Sequence, residues 1–207
     1  MNSRIMFSSE EMELLSNNHF FVLKAGILKK TSDLFSELSE ELTNELTHFK
    51  KSIPEEVFHS HPKISRGENY KGFPWMVLDF PRIFRQEDVF AYRCLCWWGN
   101  EFSFTLHLGG IYFNQLKPAL IKFLTTINHS GIYICVHDSP WNYYFEKDNY
   151  LPLSEFLKME QDIAGWFRNR KFIKISKKTS LDNYITLSKD GCEFFRLLLK
   201  EISNDTV

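Results

Sequence analysis

At 207 residues, with 43% apolar and 25% charged side chains, the chain has the composition of a globular protein and is long enough to bury roughly 70% of its unfolded surface. A formal charge of −1 puts no global field behind nucleic-acid or anionic-membrane binding, and the short apolar runs fall far below the length of a membrane span. The start, MNSRIMFSSEE, reaches acidic residues before any long apolar stretch, so no secretory signal is expected, and Cys94, Cys96, Cys135 and Cys192 read as reduced thiols of a cytoplasmic protein.

In chain order, Ser8-x-x-Glu11 is a capping-box pattern that predicts a helix from near Ser9. Asn17-Asn18 should interrupt it before Phe20–Lys30 resumes. A second helix is predicted from about Ser32, with Leu34, Phe35, Leu38, Leu42, Leu46 and Phe49 at helical spacing, ended by Ile53-Pro54. The stretch His59–Trp75 carries two internal prolines and two glycines and reads as an ordered loop. It gathers Lys63, Arg66, Glu68, Asn69, Tyr70 and Lys71 directly before an apolar strand, Trp75–Phe80, that Pro81 should close. Binding groups tend to collect on loops set against a rigid sheet.

The clearest pattern is Val89–Gly110, two apolar and aromatic runs around Gly99-Asn100, which predicts a hairpin with a two-residue turn. That register pairs Trp97 with Phe102 and Tyr92 with His107. One face then holds Ala91, Leu95, Trp97, Phe102, Phe104, Leu106 and Leu108, a core broken only by Arg93. The other holds Phe90, Tyr92, Cys94, Cys96, Trp98, Glu101, Ser103, Thr105 and His107, a mixed face suited to a half-exposed layer or to a ligand-binding floor.

Beyond the hairpin, Gly109-Gly110 should break the sheet. A helical stripe follows through Leu116, Leu120, Phe123, Leu124 and Ile127, with Pro118 in its first turn. Ile132–His137 reads as a strand with Tyr133, Cys135 and His137 on one side. Asp138–Tyr150 is dense in aromatics without periodicity and reads as a lid over the core in preference to a stacking surface. A helix over Pro152–Phe167, a strand over Phe172–Ser176 with its lysine side exposed, and a closing helix with Cys192, Phe195, Leu198, Leu199 and Ile202 inward complete the chain.

Three chemistries are open to these side chains. His59-x-His61 with His107, His137 and Asp138 offers metal ligands but no zinc-type spacing, so no metal site and no cofactor is expected. A thiol paired with His107 or His137 would suit a small hydrolase, yet no strand cysteine precedes a helix N-terminus and no nucleophile elbow is present. The basic segment 168–178 behind Trp166 and Phe167 suits a nucleic-acid accessory role, but the chain as a whole lacks a basic balance.

The segments Lys63–Pro74 (KISRGENYKGFP) and Trp75–Arg82 (WMVLDFPR), together with Trp97-Trp98-Gly99-Asn100, resemble a group of uncharacterised bacterial proteins. The resemblance implies a bacterial, cytosolic, single-domain protein and carries over no functional residue.

The expected fold is therefore α+β: one domain over 1–207, with a helical pair in 1–53 and, in 54–207, a mostly antiparallel sheet of about five strands with helices on one face. The expected function is an intracellular module binding a small molecule or a protein partner, with neither nucleic acid nor membrane as its target. Its site would combine Lys63, Arg66, Glu68, Asn69 and Tyr70 with Tyr92 and His107 of the hairpin and His137, Asp138 and Trp141 beyond it. The cationic pair would hold an anion, and Tyr70 and Trp141 would stack.

Overall fold

The computed structural model describes residues 5–50, 53–127 and 130–203. Ser8 caps α1 (Ser9–Leu15) through the expected reciprocal box with Glu11. Asn17 caps α2 (Asn18–Thr47), whose side-chain oxygen accepts from the Phe20 amide at 2.9 Å. No break occurs near Ser32. Gly26 and the Thr31-Ser32 pair are absorbed into one 30-residue helix, with the Thr31 hydroxyl donating to the Ile27 carbonyl inside it at 2.9 Å. Only the C-terminal part of α2, with Phe35, Leu38, Leu42 and Leu46, reaches the core. The helix ends at Thr47, before Ile53-Pro54, and Pro54 instead precedes a single turn, α3 (Glu55–Phe58).

Among the described residues the strands β1 (Lys63–Tyr70), β2 (Phe73–Arg85), β3 (Asp88–Trp97), β4 (Glu101–Gly109), β5 (Ile132–Cys135), β6 (Tyr150–Pro152) and β7 (Phe172–Ser180) form a seven-stranded sheet in the order β1-β2-β3-β4-β7-β5-β6, with every pairing antiparallel. Two strands more than expected arise where the sequence read as loop. The first is β1 (Lys63–Tyr70), which pairs with β2 (Phe73–Arg85) through a tight turn at Lys71-Gly72, both at positive φ. As an edge strand it tolerates glycine and charge. At Gly67 a Cβ would lie 2.6 Å from the Trp75 ring, so the indole lies where a side chain would otherwise stand. Pro81 does not close β2. The register shifts between Asp79 and Arg82 and the strand runs on to Arg85.

β3 (Asp88–Trp97) and β4 (Glu101–Gly109) form the predicted hairpin with a different turn. Its loop is Trp98-Gly99-Asn100, with Gly99 at φ +68° and the Asn100 amide donating to the Trp97 carbonyl at 3.1 Å. The pairs are Cys96/Phe102, Cys94/Phe104, Tyr92/Leu106 and Ala91/His107, one residue away from the expected register. Because strand side chains alternate, that slip exchanges which halves of the two strands share a face. Phe90, Tyr92, Cys94 and Cys96 join Phe102, Phe104, Leu106 and Leu108 in the core under the helices. Arg93, Leu95 and Trp97 join Ser103, Thr105 and His107 on the opposite face.

The helix face is covered by α2, by α4 (Gly110–Thr126), by the short α5 (Leu153–Met159) and α6 (Ile163–Arg168), and by α7 (Leu187–Ser203). α4 begins at Gly110, two turns earlier than expected, because Asp88 accepts from the Ile111 amide at 2.9 Å, so Pro118 lies in its interior. The expected long helix over Pro152–Phe167 is split where Asp162 accepts from the Gly165 amide at 2.8 Å and caps α6. β5 (Ile132–Cys135) is shorter than expected, and β6 (Tyr150–Pro152) is the second added strand. β7 (Phe172–Ser180) lies between β4 and β5, so it is a central strand and not the lysine-guarded one the sequence suggested.

α7 comes close to the sheet at Gly191, where the carbonyl accepts from the Tyr92 hydroxyl at 2.7 Å. A Cβ there would sit 2.8 Å from Phe104 Cε1 and 3.1 Å from Leu38 Cδ1. Arg196 donates to Glu45 at 2.8 Å and ties α7 to α2. Gly191→Leu should destabilise the fold by about 2–3 kcal/mol through overpacking, measured by urea unfolding. An unchanged midpoint would show the close approach to be absent.

Candidate functional site

The face opposite the helices carries an unusual row. Directly opposite one another across five strands stand Asp79 (β2), Arg93 (β3), Thr105 (β4), Ser176 (β7) and Tyr133 (β5). Arg93 donates two hydrogen bonds to Asp79, at 2.7 and 2.9 Å, and the Thr105 and Ser176 hydroxyls are 2.8 Å apart. The next row sets Ala91, His107 and Lys174 side by side. Asp79, Thr105, His107, Lys174 and Ser176 are all buried.

Residues 138–149 are what bury them, and they form a lid. Lys174 donates from Nζ to the Asn142 carbonyl and lies 4.4 Å from the Tyr143 ring and 5.0 Å from the Tyr150 ring. Burial brings its ammonium down to about 8, so at neutral pH it remains a cation that the lid must satisfy. Arg93 lies 4.5 Å from the Tyr143 ring. Burial opposes the Arg93 charge, but Tyr143 and Asp79 outweigh it and leave its pKa raised. At the lid's middle the Tyr143 amide donates to the Tyr70 hydroxyl at 2.7 Å, and Lys71 sits 3.4 Å over the Tyr144 ring. Asn149, wholly buried, donates to the Tyr144 carbonyl at 2.6 Å.

Where the lid begins, a cavity of about 350 Å³ opens beside the sheet. It is lined by His107, Asp138, Trp141, Arg170, Lys171 and Phe172, with the Gln86-Glu87 turn on its rim. Trp141 is half exposed, its ring 5.8 Å from His107 and 6.1 Å from Phe84. Arg170 donates to the His137 carbonyl at 2.6 Å and the Val136 carbonyl at 3.1 Å, pairs with Asp138 at 3.3 Å, and lies 4.9 Å from the Phe172 ring. Its Nε and the Nδ1 of His107 are buried without a hydrogen-bond partner. Burial, reinforced by Lys174 and Arg93, holds the His107 pKa down to about 3, so the imidazole is neutral.

Of the residues singled out in the sequence, the structure brings His107, Asp138 and Trp141 together in this cavity, and His137 joins them through its carbonyl. The His137 ring is turned to its own loop, its Nδ1 accepting from the Ser139 amide at 2.8 Å. The others do not converge. Lys63 and Arg66 are exposed on the edge strand β1. Glu68 pairs with Lys24 at 2.5 Å, and Asn69 accepts from the Gly72 amide at 3.0 Å. Tyr70 anchors the lid. Tyr92 is buried beneath α7 on the opposite face. Arg170, Lys171 and Lys174 were missed because the basic segment reads as a solvated strip. The signal for Lys174 lay in the parity it shares with Phe172 and Ser176, which matches that of Tyr133 and Cys135 on the neighbouring strand.

The alternative chemistries find little geometry. Among the described residues no three His, Cys, Asp or Glu side chains are placed to hold a metal ion, and His59 instead lies 3.7 Å from Glu55. All four thiols are buried and free, and burial raises the pKa of each. Cys135 Sγ faces the Asn149 amide oxygen at 3.6 Å. Of the basic segment, Lys178 pairs with Glu101 at 3.3 Å and Arg168 with Asp162 at 3.4 Å. No helix among the described residues is long and apolar enough to cross a membrane. No protein-family model matches the chain, and no curated protein or solved structure matches it either.

Two outcomes follow. Unfolded, His107 takes up its proton near pH 6.5; folded, only near about 3. Between these values the unfolded chain binds more protons, so stability falls as pH drops, by at most about 1.4 kcal/mol per unit. His107→Phe should remove this slope, and a stability difference from wild type that stays constant between about pH 7 and about pH 4 in urea titrations would refute the assignment. Tyr70→Phe should cost about 1 kcal/mol and speed hydrogen exchange at the Tyr143 amide without affecting the β3–β4 ladder.

Proposed function

We propose that this chain is a binding protein for a small planar organic acid, held in the cavity between Trp141 and the Gln86-Glu87 turn. The observation that carries the reading is the meeting, in one space of ligand size, of a half-exposed indole and a guanidinium whose carboxylate partner is exposed to solvent. The indole offers a stacking face. The Arg170 Nη1, now shared with Asp138, and the Lys171 ammonium offer donors to a carboxylate. Asp138, the present partner of Arg170, is fully exposed at its side chain, so a ligand anion can replace it at small cost. The neutral His107 ring forms an uncharged wall with one nitrogen left to pair.

Binding is favoured over chemistry because, among the described residues, no carboxylate reaches His107 Nδ1 and the Cys135 thiol is held protonated by burial. Ligand-observed NMR with a panel of small aromatic carboxylates tests the reading on the full chain. Hits should bind one to one, weaken at least about tenfold in Trp141→Ala, and weaken more modestly in Lys171→Ala. Arg66→Ala should leave them unchanged. Hits that keep full affinity in both Trp141→Ala and Lys171→Ala would overturn the site.

A further inference from the structure

The described chain begins with a stretch that water alone does not explain. Of the large apolar side chains left exposed, eleven lie between Ile5 and Ile27. α1 buries no residue, and the first turns of α2 carry the run Phe20-Phe21-Val22-Leu23, each more than a third exposed. Four consecutive apolar residues point to every side of a helix, so no rotation of α2 could hide them within one copy. Eleven such side chains, about half exposed, present on the order of 1,000 Å² of apolar surface. Summed over all sides of the arm, that is more apolar surface than the roughly 300–600 Å² of the largest patch on a typical monomer, and one face of it supplies a large part of the roughly 800 Å² each partner covers in a stable interface.

The patch runs on into a groove. Ile27 is shared between the exposed helix and a cavity of about 390 Å³ that Leu34, Trp98, Phe102, Leu181 and Tyr184 also line. Charge is arranged along the same path. Glu10, Glu11 and Glu13 lie on α1, while Lys24, Lys29 and Lys30 lie on α2 beyond the apolar run. Lys24 already pairs with Glu68 and Lys29 with Asp33. The acidic end disfavours an anionic lipid surface, whereas it complements the basic end of another copy.

We infer that this N-terminal arm is a self-association surface, and that its occupant is the same arm of a second copy, running antiparallel. Centred near Phe21, the pairing sets the α1 carboxylates of one copy beside Lys29 and Lys30 of its partner. It also carries the Met6-Phe7 segment towards the partner's groove. A two-fold interface of this kind is self-complementary, as the opposite charges at its two ends require.

Sedimentation velocity and light scattering across a concentration series read the result directly. The full chain should show twice its monomer mass at high concentration, and Leu14→Glu and Phe21→Glu should each shift it to monomer while far-UV circular dichroism is retained. Trp141→Ala, which tests the ligand cavity, should leave association unchanged. A wild-type chain that is monomeric throughout overturns the inference, as does a dimer indifferent to both substitutions. Loss of the helical signal in either variant counts against it, because it would place that side chain inside a single copy. Monomers that co-sediment with vesicles of phosphatidylcholine and phosphatidylglycerol would give the arm to lipid instead.

Discussion

The Asp79–Arg93 pair is the interaction on which the second side of this molecule depends. A salt bridge on a sheet face is cheap when water reaches it and expensive when it does not. Here it is nearly out of water, and Lys174 lies two strands away in the next row, wholly buried. Neither cation could remain there under a plain apolar cover. The lid supplies what they need: the Asn142 carbonyl for the ammonium and the π-face of Tyr143 for both charges, with Tyr150 of β6 adding a second face to Lys174. An irregular segment thereby takes one fixed course, and the aromatic residues that looked like a loose surface are bound to charges beneath them.

That course also creates the cavity. The lid has to leave the sheet at the end of β5, and Arg170 holds it there through the His137 and Val136 carbonyls. Trp141, first across the gap, is left half in solvent. His107 is enclosed by the two aromatic rings of Trp141 and Phe172 and loses its proton affinity to burial. The cavity is thus a by-product of neutralising charge on the sheet. This explains why it sits at the lid's hinge and not at its middle.

Much of the helix side was legible. The capping box at Ser8, the apolar stripe of α2 from Phe35 to Leu46 and the inward row of α7 all appear as read. The α+β class and the antiparallel character of the sheet follow from the same periodicities. What failed did so for identifiable reasons. Gly99-Asn100 suits a two-residue turn, but Gly99 takes the positive φ of a three-residue loop, and one residue of slip moved Arg93 from an anomaly in the core to a member of the polar face. β1 was invisible because an edge strand held by one neighbour and packed under a tryptophan ring needs little apolar alternation. Lys174 was assigned to solvent because its partners, a backbone carbonyl and two rings, are contributed by residues 24 or more positions away in sequence. Of the candidate site, the residues after β5 and His107 were found, whereas the guanidinium that completes it was not.

The place of β7 in the sheet has a consequence for how the chain is made. Its two neighbours, β4 and β5, precede it in sequence, so the sheet cannot be completed until the segment 172–180 leaves the ribosome. At ordinary synthesis rates the roughly 60 residues between the end of β4 and the start of β7 take about 3–12 s to make. During that interval the meander β1-β2-β3-β4 has an open edge at β4, whose unpaired amides and carbonyls are a template for any passing strand. His107, Thr105 and Ser103 stud that edge strand with polar side chains on one face. The polar row that later carries the lid is thus, in the nascent chain, what keeps one face of the waiting edge wetted while it is exposed.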